Sequence, residues 1–409
     1  MNLWNMFLDQ GMRYFNKMLQ FNCLFLLFIF LSGVYKLKLI IVTTVPETLA
    51  TILRGQPSWV NQYASVVCVT SPDPIINIVK EQEGVTVIGI PMYRGISPLK
   101  DLVSIFRMWR VFRRVRPDVV HSYTPKAGLV AMLAGSLAGV QVRIHTFTGL
   151  VFPTSIGLKR KILIAIDRLI CLVATKVVPE GEGVAKDLRK NRITSKPLKV
   201  IGNGNIAGID TEYFMPLQCP PLALEGREAF TFCFVGRLNR DKGLQELVAA
   251  LTALQGEVRL LLVGELDHTA PVDEVTLQEI KAHPRIQTTG FLSDIRPALE
   301  AADVIVLPSY REGFPNVVLQ AGAMEKPVIA SDINGSNEVI ENDFNGWLVP
   351  VRDAKRLSER MAYAMTLSDD ERSELGRNAR ARIVERYEQS AYRGQLLKFY
   401  REVASEAGL

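Results

Sequence analysis

The chain has 409 residues, with 48 Lys+Arg against 42 Asp+Glu for a net charge of +6, and 48% hydrophobic against 22% charged residues. That apolar share excludes a disordered chain, and the length suits two domains. Five scattered cysteines (Cys23, Cys68, Cys171, Cys219 and Cys233) with no C-x-x-C pair exclude a disulfide-stapled scaffold and a cysteine zinc site, and four histidines leave little for a His-rich metal centre. The basic excess shows no stripe interleaved with aromatics, which argues against nucleic acid and toward phosphate-bearing ligands or a membrane surface.

Residues 1–35 stand apart as a hydrophobic N-terminal extension. The run FNCLFLLFIFLSGVY at 21–35 falls short of the ~20 apolar residues that cross a bilayer comfortably. It reads as a signal anchor, as a cleaved signal peptide with Ser32-Gly33 as a poor cleavage site, or as an upstream or surface segment that does not span. Arg13 and Lys17 before it balance Lys36 and Lys38 after it, so flanking charge gives no orientation.

The β-branched run at 37–43 predicts a buried first strand. Short apolar runs at 65–70, 85–90, 118–121, 143–146, 176–178 and 198–201 then alternate with helical patterns, which predicts a parallel α/β sheet. A Pro-rich stretch at 216–221 reads as a linker. A second alternation follows, with strands predicted at 230–235, 258–263, 285–289, 304–308, 327–330 and 346–349 and helix over most of 353–386. The fold class is therefore α/β, two Rossmann-like domains facing across a cleft. The expected organisation is an extension or anchor at 1–35, a first Rossmann-like domain at 36–215, a linker at 216–229, a second at 230–385 and a C-terminal helix at 386–409. A dinucleotide oxidoreductase would carry G-x-G-x-x-G directly after its first strand, where this chain has Thr43-Thr44-Val45-Pro46. The glycines of 202–208 have the wrong spacing and read as a turn near the domain boundary.

Two strand-to-helix loops carry chemistry. In Gly236-Arg-Leu-Asn-Arg-Asp-Lys-Gly243, Arg237 and Lys242 lie between a strand end and a helix start, where two cations can hold a diphosphate. In Ser309-Tyr-Arg-Glu-Gly-Phe-Pro-Asn-Val-Val-Leu-Gln320, Glu312 precedes a helix whose first turn suits Pro315, and Gln320 lies further along it. A carboxylate accepts hydrogen bonds from sugar hydroxyls, and an amide can meet a ribose.

Together with Leu262-Val-Gly264, Gly290 ahead of Asp294, and Lys326-Pro-Val-Ile-Ala-Ser-Asp332, these loops resemble glycosyltransferase family 4, the retaining nucleotide-sugar enzymes of GT-B fold. The resemblance runs from about residue 36 to the C-terminus. Its nearest branch, the bacterial capsular and O-antigen enzymes, is marked by His121-Ser-Tyr-Thr-Pro-Lys-Ala-Gly128 and by the segment from His145 to Leu150. The resemblance implies that Gly236, Arg237, Lys242, Gly264, Glu312, Gly313, Phe314, Pro315, Asn316 and Gln320 bind the donor. Arg237 and Lys242 then clamp the pyrophosphate and Glu312 contacts the donor sugar. The second acidic position of the family's E-x7-E motif is Gln320 here, a neutral amide that keeps one acceptor and adds donors. His145 matches a cleft histidine near the transferred sugar, and Thr44, Gly55, Gln56, His121 and Lys126 would line the acceptor side. A UDP-sugar is favoured over a GDP-sugar by family association, and the C-terminal helix of such chains often crosses back to the first domain.

No Asp-x-Asp pair occurs in the chain, so a metal-bridged diphosphate lacks its usual ligands and a metal-independent, cofactor-free reaction is expected. Segment 96–116 places Leu102, Ile105, Phe106 and Trp109 at helical spacing, predicting a core face, beside Arg107, Arg110, Arg113, Arg114 and Arg116. With Lys159–Lys161 these arginines are candidate contacts for anionic lipid. They favour a polyprenyl-diphosphate-linked glycan acceptor and a catalytic domain on the cytoplasmic face of the inner membrane, where nucleotide sugars are made. The competing readings are a sugar-nucleotide epimerase of the same fold, a weakly active transferase homologue, and a two-lobed sugar-binding protein, which would need no diphosphate clamp.

Overall fold

The structure, a computed structural model, describes residues 36–409 apart from 94, 96, 226, 227, 268 and 269. The apolar leader and every reading of it lie outside the described residues. Among those described, no helix is long and apolar enough to cross a membrane.

The first sheet is parallel throughout. It contains β1 (Lys38–Val42), β2 (Ser65–Thr70), β3 (Thr86–Gly89), β4 (Val119–Tyr123), β5 (Val142–Phe147) and β6 (Lys176–Pro179) in the order β3-β2-β1-β4-β5-β6. The second, also parallel, contains β7 (Phe230–Val235), β8 (Val258–Val263), β9 (Ile286–Gly290), β10 (Val304–Leu307), β11 (Val328–Ser331) and β12 (Gly346–Val349) in the order β12-β11-β10-β7-β8-β9. Each sheet therefore reverses direction once, between β1 and β4 and between β7 and β10. Ligands of such sheets sit beyond the strands' carboxyl ends at these points.

Helices α1 (Gln56–Asn61), α2 (Ile75–Glu83), α3 (Pro98–Val115), α4 (Pro125–Ala138), α5 (Gly157–Val173) and α6 (Glu182–Lys190) serve the first sheet. Helices α7 (Leu244–Ala253), α8 (Glu274–Ala282), α9 (Arg296–Glu300), α10 (Asn316–Ala323), α11 (Ser336–Val339), α12 (Ala354–Thr366) and α13 (Asp369–Tyr387) serve the second, and α14 (Gln389–Glu406) ends the chain. In β1 successive side chains feed opposite layers, Leu39 and Ile41 into one core and Ile40 and Val42 into the other. The layer on Leu39 and Ile41 is completed by α14, whose Tyr392, Leu396, Phe399, Tyr400 and Val403 recur at helical spacing. The last helix thus packs on the first domain. The two chain crossings between domains lie side by side: Ile209 N donates to Tyr387 O at 2.8 Å, and Gln389 N donates to Ile209 O at 2.9 Å.

Three expectations change. Residues 198–201 form no strand, only a single bridge between Leu198 and Val177, because Pro197 has no N–H to donate and Gly202 turns the chain at φ 61°. The long C-terminal helical stretch is two helices. At Ser368 a capping box starts α13 afresh, with Ser368 N donating to the Glu371 carboxylate at 2.8 Å and Glu371 N to Ser368 Oγ at 3.3 Å. In α3 the buried face is Asp101, Ser104, Met108 and Phe112, whereas Leu102 is 62% and Phe106 56% exposed. Periodicity marked an apolar stripe there, but α3 carries a second one that faces outward.

Truncating Leu396, fully buried between α14 and the sheet, should destabilise the protein by about 2–5 kcal/mol. Urea unfolding of Leu396→Ala measures this, and an unchanged midpoint would contradict the packing described.

Candidate active site at the facing sheet ends

The carboxyl ends of β7 and β10 are neighbours, and the two predicted donor loops leave from them. After β7 the chain passes Gly236 and Arg237 and makes one tight turn over Arg240–Lys242, with Asp241 N donating to Asn239 Oδ1 at 3.0 Å. Gly243, at φ 67°, then starts α7; a Cβ there would collide with the Pro308 carbonyl at the end of β10. The loop after β10 is laced to this turn. Tyr310 N donates to Asp241 O at 2.8 Å, and the Arg311 guanidinium reaches the Asp241 carboxylate at 2.9 Å. Lys242 Nζ meets Glu312 Oε1 at 2.5 Å, both side chains being less than one-fifth exposed. Sequence separation of 70 residues is thereby closed at the topological switch point. Helix α10 begins at Asn316, one residue later than expected, with Pro315 as its N-cap. Its N-terminus, where Val318 N donates to Pro315 O at 3.1 Å, belongs to the same strand end as Lys242 and Glu312.

Arg237 also has a carboxylate partner. Its Nη1 lies 2.5 Å from Asp267 Oδ2, with the arginine 59% and the aspartate 6% exposed. Asp267 went unnoticed in the sequence; the available signal was its position just after β8, the strand beside β7. Gly264, at φ 137°, closes the same end of the sheet, since a side chain there would collide with the Gly236 carbonyl. Gln320 lies apart from the Lys242–Glu312 pair. With Asn316 it lines a cavity of about 570 Å³ whose other walls include Gly55, Ile209, Tyr213, Phe291, Ser293 and Arg393. That cavity is bounded by both domains and by the last helix.

On the first domain the predicted acceptor residues separate. Gly55 lines the cavity just described. Thr44 Oγ1 pairs with Thr124 Oγ1 at 2.6 Å and accepts from Ala127 N at 3.1 Å, so it ties β1 to the start of α4. Thr124 holds φ 75° at the end of β4, a strained conformation for a β-branched residue beside the first sheet's switch point. Lys126 is neutralised by Asp101 at 2.7 Å. Gln56 is fully buried, its Nε2 on Tyr123 Oη at 3.3 Å.

His121 departs from its expected role. It is fully buried, with Nδ1 2.8 Å from Tyr400 Oη and Nε2 2.7 Å from Thr146 Oγ1. Both nitrogens are used inside the core, leaving none for an acceptor. His145 is fully buried as well, with Nδ1 2.9 Å from Ser122 Oγ and Nε2 without a partner among the described residues. Helix α4 packs onto its ring at Gly128, where a Cβ would collide with the imidazole. Burial pushes both histidines down to about 3, so both are neutral near pH 7.

The domains meet at Gly313. A side chain there would strike the Glu180 carboxylate on one side and, at 2.5 Å, Gly149 N on the other. Glu338 of the second domain accepts from Glu182 N at 2.7 Å and Gly183 N at 3.0 Å, capping α6 of the first. Asn334 Nδ2 donates to Asp187 Oδ2 at 2.7 Å and Asn205 Nδ2 to Asn316 Oδ1 at 2.8 Å. Asn316 was expected at the donor site, whereas Glu180, Glu338, Asn334 and Asn205 did not stand out in the sequence, because their partners across the seam are distant in the chain.

Two Rossmann-like parallel sheets facing across a seam, with the loop after β10 of one set against the other, define the GT-B class of folds. Solved structures agree on that fold: Anabaena HepE in complex with UDP (TM-score 0.72, 17% identity, 90% of this chain and 100% of that one) and sucrose-phosphate synthase from Thermosynechococcus elongatus (TM-score 0.73, 20% identity, 90% and 100%). The family model for glycosyl transferases group 1 matches residues 229–366, and that for the glycosyl transferase 4-like domain matches residues 57–204. The chain belongs to this glycosyltransferase family. Among curated relatives, the Staphylococcus aureus capsular polysaccharide biosynthesis glycosyltransferase CapM is 28% identical over 87% of this chain and 95% of its own length. The Escherichia coli UDP-Gal:alpha-D-GlcNAc-diphosphoundecaprenol alpha-1,3-galactosyltransferase is 28% identical over 71% and 77%. The Campylobacter jejuni N,N'-diacetylbacillosaminyl-diphospho-undecaprenol alpha-1,3-N-acetylgalactosaminyltransferase is 26% identical over 76% and 83%.

Gly313→Ala should leave each domain folded but prevent this approach, lowering turnover about 100-fold or more, the scale of an ångström-sized misplacement. Steady-state rates with circular dichroism check it; full activity would show that the Gly149–Gly313 contact is not part of the working enzyme.

Proposed function

We propose that the protein transfers a hexose or N-acetylhexosamine, with retention of configuration, from a UDP-sugar to a polyprenyl-diphosphate-linked glycan in cell-surface polysaccharide synthesis. The observation that carries this reading is the pairing of Lys242 with Glu312 at the second sheet's switch point, with Arg237 held by Asp267 on the same strand-end loop. Breaking the bond between sugar and diphosphate leaves an oxocarbenium-like sugar and an anionic leaving group, so positive charge on that group lowers the barrier. Arg237, Lys242 and the N-terminus of α10 supply it when Lys242 exchanges Glu312 for a phosphate oxygen. Glu312, released, accepts hydrogen bonds from the donor sugar, and Gln320 meets the ribose in the cavity. The positive charge comes from these groups without a metal ion. Retention follows if the acceptor hydroxyl attacks the face the nucleotide leaves, because no side chain is positioned as a covalent nucleophile among the residues assembled here.

Arg237→Ala and Lys242→Ala should each lower kcat/KM by about 10²–10³, the range for removing one preorganised electrostatic contact. A coupled assay of UDP release, run with and without a lipid-linked acceptor, measures it. Unchanged turnover in both variants would remove the diphosphate assignment.

The acceptor class is supported by the lipid-linked substrates in the names of the E. coli and C. jejuni relatives. It is also supported by α3, where exposed Leu99, Leu102, Val103 and Phe106 line one face and exposed Arg107, Arg110, Arg113 and Arg114 follow. Apolar side chains flanked by arginines fit the interface of an anionic membrane. The nucleotide-sugar donor, made in the cytosol, favours the cytoplasmic face for that contact. Residues 36–409 should sediment with anionic vesicles, and Leu102→Ser with Phe106→Ser should weaken that binding at least tenfold. Equal sedimentation of both proteins would exclude α3 as the docking face.

A further inference from the structure

Glu180 follows β6 and lies in the seam. It is 5% exposed, and no hydrogen bond to its carboxylate forms among the described residues. Its Oε2 lies against Gly313, where a Cβ would also meet the backbone of Gly149 and Thr148. Its backbone N–H is anchored to Phe147 O at 3.1 Å, which fixes the residue at the strand end. The other carboxylates of the seam are provided for: Glu312 by Lys242 at 2.5 Å, and Glu338 by the N–H groups of Glu182 and Gly183. Asp187 accepts from Asn334 at 2.7 Å. Among these seam carboxyl groups Glu180 alone meets no donor among the described residues.

We propose that Glu180 is a positioning residue that holds a proton in the closed arrangement, so that closing the domains over the nucleotide takes up one proton at this carboxyl. The inference rests on the donor-binding reading above. A buried carboxylate without a donor, facing two others, is the arrangement least compatible with charge. The groups that face it are Glu312 on the loop after β10, Glu338 on α11 and the Tyr392 phenol on α14, with Lys242 reaching the cluster only through Glu312. Glu182 lies next to it on its own segment. Burial first, then the charges of Glu312 and Glu338, hold the Glu180 carboxyl well above the usual carboxylate range.

The sign of the pH effect follows. With the domains apart, Glu180 meets water and titrates in the ordinary range. Below that range the carboxyl is neutral in both arrangements and closure is unopposed. As pH rises from that range toward the raised value, closure must bind a proton and weakens by up to tenfold per pH unit. A neutral Glu180 keeps Gly313 against Gly149, and so keeps the Glu312–Lys242 pair facing the first domain. A charged one opens the seam.

The test is calorimetric titration of UDP into the full chain over a pH series from 7 to 9, where the diphosphate is already ionised, in buffers of differing ionisation enthalpy. The wild type should take up protons on binding UDP, and its affinity should fall as pH rises. Glu180→Gln, neutral at every pH, should bind UDP without that uptake and with a flat pH profile. Binding by the wild type without proton uptake would overturn the proposal, and that measurement does not depend on the variant folding. Equal uptake in wild type and Glu180→Gln would overturn it as well. Absence of UDP binding to both proteins would instead remove the donor reading on which it rests.

Discussion

The site depends on one steric constraint: two loops from different domains approach backbone to backbone at Gly149 and Gly313. No side chain longer than hydrogen fits at Gly313, so the loop carrying Glu312 can lie flat against the end of β5. That approach encloses Glu180 and brings Glu338 onto the N-terminus of α6. A bulkier residue would hold the sheets apart, and the space between them would fill with water. Charges then would be screened, and the field on a leaving diphosphate weakened. The geometry of the seam and the strength of the electrostatics are thus one property.

The charges themselves are arranged economically. Each cation of the proposed clamp is matched by a carboxylate, Arg237 by Asp267 and Lys242 by Glu312. An unmatched, partly buried lysine would be costly to hold. Pairing keeps both groups fixed until an anion of higher charge competes. The exchange frees Glu312 when a donor sugar has arrived beside it. Arg237, more exposed, loses less by changing partner than Lys242 does.

Much of this was legible in the residues. Apolar runs separated by helical patterns located the strands of both sheets, because a strand buried on both faces must be apolar nearly throughout. Arg237, Lys242 and Glu312 were legible because the loop after a parallel strand is where ligands sit, and those residue types suit phosphate and sugar. Asp267 and Glu338 were not, since a carboxylate's partner distant in the chain leaves no local pattern, and Glu180 was not, since what surrounds it comes from the other domain. His121 misled for the same reason: its partner Tyr400 lies 279 residues away, and only the folded chain shows the ring sealed beneath α14. In α3 the period of the stripe was correct, but period alone does not say which of two apolar stripes faces the core.

The central claim is that a nucleotide diphosphate binds at the ends of β7 and β10. A crystal structure of the protein with UDP tests it most directly. The account predicts phosphate oxygens within hydrogen-bonding distance of Arg237 and Lys242, the Lys242–Glu312 pair opened, and the ribose beside Gln320. A diphosphate seated instead at the ends of β1 and β4, or one that leaves Lys242 on Glu312, would contradict it.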